Sequence, residues 1–395
     1  MPSSTFKIAA LFAGIGGIEL GINRALGADA ETELFCEWWE PAQLVLKSRF
    51  PGVEVHPDIR ELKSLPSEVN LVTAGFPCTD LSQAGRTAGI GGINSGLVKH
   101  LFEALRVSGT SRRLPSLLIE NVPNMLALDR GSAMKYLISE IESLGYRWAY
   151  RVVDSRFTGV PQRRRRVIML ASTDFDPRDV LFADDAGVRP EDAFADDAFG
   201  FYWTEGRGGL GWAQDAVPTL KGGSTIGIPS PPAVWVPGAA TGRKFVKPSI
   251  EDAEAMQGFE RGWTLVDGIS TKKNGPRWKL IGNAVTVGVS TWVARNLADP
   301  GEARASYSRW EFHQGSWPKA AWGENGKIYS APHLSEFPTH EPYQHLAQVM
   351  DSSAAEVLSH RASAGFYKRL QLGNLGRHPG FRTDISEHVD VVSVL

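Results

Sequence analysis

Residues Leu11–Gly21 read "LFAGIGGIELG". The apolar run "FKIAALF" leads into them, and "IELGINRAL" continues with the spacing of an amphipathic helix. Strand, glycine turn and helix start, in that order, form the first half of a βαβ unit. Glycines let a backbone approach a ligand closely, and a helix N-terminus favours an anionic group. Alone, the stretch fits a plain tight turn equally well. Gly14, Gly16 and Gly17 do not follow the G-x-G-x-x-G spacing of a dinucleotide site.

Working outward, further apolar runs occur at "ELFCEWW", "NLVTAGF", "SLLIENV", "RWAYRVV" and "RVIMLAS". Helical periods fall among them, at "PAQLVLKSRF", "GLVKHLFEALRV" and "AMKYLISEIESLG". This alternation predicts an α/β fold with a mostly parallel sheet over residues 1–173. Ligands of such sheets bind beyond the carboxyl ends of the strands, and an acidic residue about 20 positions after the glycine turn holds ribose hydroxyls. Glu37 stands there, with Trp38 beside it to stack on a purine. Asp58, in "PDI", ends the third element, where it can accept from an adenine amino group.

The next strand runs into "GFPCTDLSQAG", Gly75–Gly85. It holds Cys78, and the chain's other cysteine is Cys36. Two cysteines make no disulfide framework and have no zinc spacing, which fits a reducing compartment. A loop thiol near cations ionises and serves as a nucleophile, whereas a buried one is a small hydrophobe. Glu120 ends the following strand in "IENV". "PQRRRRVIML" places Arg163–Arg166 before another apolar strand. In a continuous strand Arg164 and Arg166 share a face.

Taken in order, FAGIGG, EW, PDI, GFPC, ENV, QRRRR and IGNAV resemble the motif series of the cytosine-C5 DNA methyltransferases. The resemblance covers 1–173 and 248–298. It implies a Rossmann-like class I methyltransferase fold with a smaller, irregular target-recognition domain. It also implies methyl transfer from S-adenosylmethionine to C5 of a flipped-out cytosine in double-stranded DNA, with no metal. Cys78 matches the nucleophile, on a loop that closes over the base. Glu120 matches the residue that contacts the base N3 and amino group. Arg166 matches the residue gripping the base oxygen, and Arg164 one that orients the loop or the thiol. Phe12, Ala13, Gly14, Gly16 and Gly17 match the turn around the methionine part. Glu37 and Trp38 match the ribose and adenine contacts, and Asp58 and Ile59 the adenine clamp. Pro77, Asn283 and Val285 complete the cofactor set, although Asn283 also reads as an ordinary helix N-cap. Ser82, Gln83, Arg163, Arg165, Lys221, Ser224 and Thr225 are the candidate DNA contacts. Gln83, or a residue of the glycine-rich recognition region, would fill the gap left by the flipped base.

The resemblance divides the chain into a catalytic domain at 1–173, a recognition domain at 174–247, helices returning to the catalytic domain at 248–298 and an extension at 299–395. The acidic segment Asp174–Asp197 reads as a solvated insertion. The helical period "KLIGNAVTVGVSTWVARNL" reads as the returning segment. The extension allows extra DNA contact or a helix packed on the recognition domain. Thr79 stands where many members carry Gln after the Pro-Cys pair, so loop contacts to DNA are open.

Basic and acidic residues nearly balance, 42 against 44, so net charge points to no partner class. No apolar run suits a membrane span. "IAALFAGIGGIELGI" mimics a signal peptide faintly, but its glycines and Glu19 argue against one. The expectation is a cytoplasmic, nucleoid-associated bacterial monomer, the modification partner of a restriction endonuclease acting on the same site. An RNA-directed enzyme of the same fold and a non-catalytic regulatory homologue remain the alternatives. A nicotinamide oxidoreductase leaves the Pro-Cys, Glu-Asn-Val and arginine set without a use.

Overall fold

The computed structural model describes residues 5–77, 96–110, 113–205, 209–222, 231–303, 306–313 and 315–394. The chain forms two compact units. The first comprises Met1–Asp154, Arg165–Val188 and Val285–Thr339, and the second Ser155–Arg164, Arg189–Ala284 and His340–Leu395.

The first unit is built on a ten-stranded sheet. Its strands are β1 (Phe6–Leu11), β2 (Ala30–Cys36), β3 (Glu54–His56), β4 (Leu71–Ala74), β5 (Ser116–Asn121), β6 (Arg147–Asp154), β7 (Arg165–Ser172), β8 (Ser308–Trp310), β9 (Ala320–Glu324) and β10 (Lys327–Ser330). Across the sheet they lie in the order β8-β10-β9-β6-β7-β5-β4-β1-β2-β3. The run β5-β4-β1-β2-β3 is parallel, whereas β7 lies antiparallel to both β5 and β6.

Both faces of this sheet are covered, which explains why its strands read as apolar runs rather than alternations. Ala9, Leu11, Val72, Ala74, Leu117 and Ile119 face one layer. Helices α1 (Gly17–Leu26), α2 (Glu40–Arg49), α3 (Val98–Gly109), α4 (Ser132–Ser143) and α5 (Val287–Ala298) make the layers. α3 and α4 supply Leu101, Phe102, Leu105, Met134, Leu137 and Ile141 to that first face. Ala10 and Phe35 point the other way, onto Leu46 of α2. On this second face α1 and α5 cross so closely that a Cβ on Gly21 would lie 2.4 Å from the Val287 carbonyl oxygen. Only glycine admits that approach.

The second unit holds a five-stranded sheet of short strands, Ala213–Gln214, Phe199–Phe201, Ala233–Trp235, Phe245–Lys247 and Glu356–Val357. Helices His360–Leu372 and Phe381–Val392 add Phe366, Leu370, Phe381 and Ile385 to its aromatic core of Phe199, Phe201, Trp235 and Phe245.

Two local expectations change, and the extension takes a structural part. The acidic segment is not a free insertion over its first half. Val180, Leu181 and Phe182 are buried, Arg151 pairs with Asp185 at 2.5 Å, and Asp184 accepts from Asn296 Nδ2 at 2.8 Å. The returning segment is two helices, Gly275–Asn283 and α5, because Ala284 adopts an extended conformation. Of these, α5 belongs to the first unit, and Gly275–Asn283 to the second with Ile250–Met256. The extension beyond residue 299 is structural in both units. β8, β9 and β10 prolong the large sheet, with β9 pairing to β6, and residues from His340 complete the second core.

Candidate active site

The turn after β1 and the end of β2 build one cavity of about 240 Å³, lined by Phe12, Cys36, Glu37, Trp38, Asp58, Ile59, Arg60 and Leu97. Gly16 caps α1 in the left-handed region at φ 76°, and a Cβ there would strike the Phe50 ring at 2.4 Å. Phe12 is non-glycine yet has φ 57°, a conformation that costs about 1–3 kcal/mol and clusters at functional sites. The amide of Gly14 donates to Glu37 Oε2 at 2.8 Å and that of Trp39 to Oε1 at 2.9 Å. Burial raises the Glu37 pKa, with these amides opposing it. Trp38 is 75% exposed beside the cavity, a free aromatic face for stacking. Ile59 is buried in the wall, and both oxygens of Asp58 are held by Arg60, which depresses the Asp58 pKa. Cys36 is a packed thiol, pushed up to about 12 chiefly by burial.

A second group gathers at the carboxyl ends of β4 and β5. Glu120 Oε1 meets Arg166 Nε at 2.6 Å, with each side chain about one-tenth exposed. Antiparallel pairing of β5 with β7 sets this contact, Asn121 lying opposite Val167. Asn121 Nδ2 donates to the Phe76 carbonyl at 2.9 Å, and its Oδ1 accepts from the Val122 amide at 2.8 Å. Phe76 in turn packs edge-on against Phe12, centroids 5.9 Å apart. A Cβ on Gly75 would lie 3.8 Å from both Glu120 Oε2 and the Phe12 carbonyl oxygen. The ends of β1, β4 and β5 therefore converge. Pro77 follows, exposed, and Cys78 lies outside the described residues, as do Ser82, Gln83, Ser224 and Thr225.

The model of the family "C-5 cytosine-specific DNA methylase" matches residues 6–180. The type II methyltransferase M2.BsuMI of Bacillus subtilis (strain 168) is 46% identical over 370 residues, which are 92% of each chain. The chain belongs to the C-5 cytosine-specific DNA methylase family. A further relative, the type II methyltransferase M.BanI of Aneurinibacillus aneurinilyticus, is 38% identical over 42% of this chain and 38% of its own. The S. pombe Dnmt2 methyltransferase structure aligns with TM-score 0.52 at 16% identity, covering 74% of this chain and 97% of that one. Entamoeba histolytica EhMeth aligns with TM-score 0.53 at 14% identity, covering 75% and 98%. These two likenesses concern the fold.

In this DNA cytosine-5 methyltransferase the four arginines separate. The strand breaks at Arg164, between Gln162–Arg163, which pairs with Val217–Pro218, and β7. Single-strand alternation therefore does not hold through the tetrad. Arg164 is buried in the second unit and donates to the carbonyls of Leu220 (3.1 Å), Gly282 (3.2 Å) and Ala284 (2.6 Å). Gln162 works beside it, accepting from the Leu220 amide and donating to the Met256 carbonyl. Arg163 donates to the Gly211 carbonyl, Arg165 pairs with Glu336, and Lys221 pairs with Glu205 at 2.5 Å beneath the Tyr202 ring.

Two cofactor candidates are not among the residues that line the 240 Å³ cavity. Asn283 is exposed at the end of its helix, with Gly222 against it, and it is not an N-cap. Val285 lines a small space with Ile18, Leu118 and Glu120. Cys36, Arg60 and Leu97 were absent from the sequence-derived cavity set. Arg60, two places after Asp58, had a local signal, whereas Leu97 is brought in only by packing.

Proposed function

We propose that this methyltransferase carries a methyl group from S-adenosylmethionine to C5 of a cytosine flipped out of double-stranded DNA, through a covalent bond from Cys78 to C6. It acts at one short sequence, as the modification arm of a restriction or defence system with a cognate endonuclease. The observation that carries the reading is the Glu120–Arg166 pair beside the strand end that leads to Pro77 and Cys78.

The cavity fits an adenosyl group by the chemistry of its donor set. Glu37, already ordered by two amides, has the position for ribose hydroxyls. Trp38 offers a face to a purine, and Phe12 and Ile59 offer apolar walls. The bound donor supplies an electrophilic methyl sulfonium. A cytosine must leave the stack before any side chain can reach C6. Cys78 Sγ, as thiolate, forms a bond to C6, and the displaced π electrons make C5 nucleophilic. C5 takes the methyl group, leaving S-adenosylhomocysteine. Loss of the C5 proton to a base and cleavage of the C–S bond return the thiolate and release 5-methylcytosine. Glu120 supplies a proton or hydrogen bond at N3 as charge builds on the ring, and Arg166 holds both Glu120 and the base oxygen. Arg164 acts as an organiser of backbone. Target recognition falls to the second unit.

The test is transfer of labelled methyl groups to unmethylated genomic DNA, to tRNA and to no nucleic acid, with sequencing of the product. Label at C5 of cytosine in one recurring motif, lost in Cys78→Ala with cofactor binding kept, supports the reading. Label in tRNA alone moves the activity to RNA. Full activity of Cys78→Ala overturns the nucleophile.

A further inference from the structure

Glu19 has no part in the chemistry above, yet it is among the most deeply buried carboxyl groups of the first unit, at 1% exposure. It sits in the first turn of α1, two residues after the glycine turn of the cofactor cavity ends. Its Oε1 accepts from Thr73 Oγ1 at 2.5 Å. Its Oε2 is buried, with no hydrogen-bond partner among the described residues. Such a group is costly to bury, and an apolar residue would pack there without that cost. Thr73 lies on β4, which pairs with β1 on one side and β5 on the other, in the register Ala10–Thr73–Leu118. Thr73 comes five residues before Cys78. The hydrogen bond from Thr73 to Glu19 thus joins the helix that begins at the cofactor turn to the strand that ends at the nucleophile's loop.

We propose that Glu19 is a positioning residue for methyl transfer, acting through Thr73 to hold the cofactor turn in register with the strand that delivers Cys78. This rests on the methyltransferase reading. Burial raises the pKa of this carboxyl to about 7, opposed by the Thr73 hydroxyl and its own backbone amide, so below pH 7 most of it is neutral. An amide of the same shape should then replace it, and an apolar residue should not.

The experiment compares wild type with Glu19→Gln, Glu19→Ala, Thr73→Val and the Glu19→Ala/Thr73→Val pair. It reads kcat, the KM for S-adenosylmethionine, and cofactor affinity by calorimetry without DNA. Expected are a tenfold or greater rise in KM with a smaller fall in kcat for Glu19→Ala and Thr73→Val. The double variant should lose no more than either alone, and Glu19→Gln should stay within threefold of wild type. Unchanged kinetics in Glu19→Ala and Thr73→Val overturn the proposal. So does a loss in Glu19→Gln as large as that in Glu19→Ala, which would mark simple core damage. If Glu19→Ala does not fold, Thr73→Val against Glu19→Gln decides alone. Failure of the activity reading is seen separately, as wild-type protein that labels no cytosine while calorimetry still ranks the variants.

Discussion

Glu120 and Arg166 face each other at 2.6 Å across two antiparallel strands, each nearly withdrawn from water. A charge left without its partner in such a place costs about 3–5 kcal/mol. Arg166 also donates to the carbonyl of Arg165 at 2.7 Å, which limits its swing. The two side chains therefore hold each other in one arrangement.

Breaking it should damage both chemistry and stability. Glu120→Gln keeps the shape and an acceptor for Arg166 but leaves the buried arginine charge without its partner, so kcat should fall about 100- to 10,000-fold and the unfolding free energy should fall as well. Glu120→Ala should cost more stability still, because Arg166 then loses the acceptor too. Single-turnover rates and urea denaturation separate the two. A Glu120→Gln enzyme with normal kcat would remove Glu120 from the chemistry.

Asn121 fastens Phe76, the residue just before Pro77–Cys78, to the end of β5. Asn121→Leu leaves a buried carbonyl unsatisfied, a cost of about 1–3 kcal/mol. The expected result is a fall in kcat with unchanged affinity for S-adenosylmethionine, since the cofactor cavity does not include Asn121. Equal losses in binding and turnover would contradict a role confined to the strand exit.

Glu37 is held by two backbone amides and faces the cavity. Glu37→Ala should weaken cofactor binding at least tenfold, about 1.4 kcal/mol, by calorimetry. Turnover at saturating cofactor should fall much less. An unaltered affinity would leave the ribose role without support.

The α1–α5 crossing predicts a purely structural effect. Gly21→Ala would place a methyl 2.7 Å from Ser290 Cβ and closer still to a carbonyl oxygen. Overpacking of this kind costs about 1–3 kcal/mol. Gly238→Ala, at a position with nothing within 4 Å, is the control and should be neutral. Equal unfolding midpoints for the two variants would show that the crossing relaxes freely.

Glu19 also gives a pH signature. Its folded pKa is about 7, against the usual carboxyl value of 4.5. Between these values the folded chain binds more protons than the unfolded chain, so stability falls as pH rises through that window. The loss is complete above about pH 7 and is on the order of 3 kcal/mol. Glu19→Gln removes it. The stability of that variant relative to wild type should therefore increase from pH 4.5 to pH 8, in denaturation series at fixed salt. A flat difference would mean that Glu19 does not titrate in this range.

Much of the first unit was legible because its signals are local. An apolar run, a glycine turn and a helical period need only a short window, so β1, β2, β4 and β5 and the helices between them could be read in order. Glu37, Asp58 and Glu120 could be placed for the same reason: each stands at or just beyond the end of a strand of the sheet. The tertiary structure decided what depends on pairing between distant segments. Arg164 and Arg166 are two residues apart, yet the break before β7 sends one to backbone carbonyls and the other to Glu120. β9 joins the large sheet through β6, some 170 residues earlier in the chain, because an open strand edge offers hydrogen bonds to any segment that reaches it. The remaining tail fills an aromatic core that the short strands of the second unit cannot close alone. Sequence by itself determined the order of the βα units and which residue types stand at their ends. Only tertiary packing determined which of those groups are paired, because a pair forms between surfaces, and a surface is assembled from residues that the chain keeps far apart.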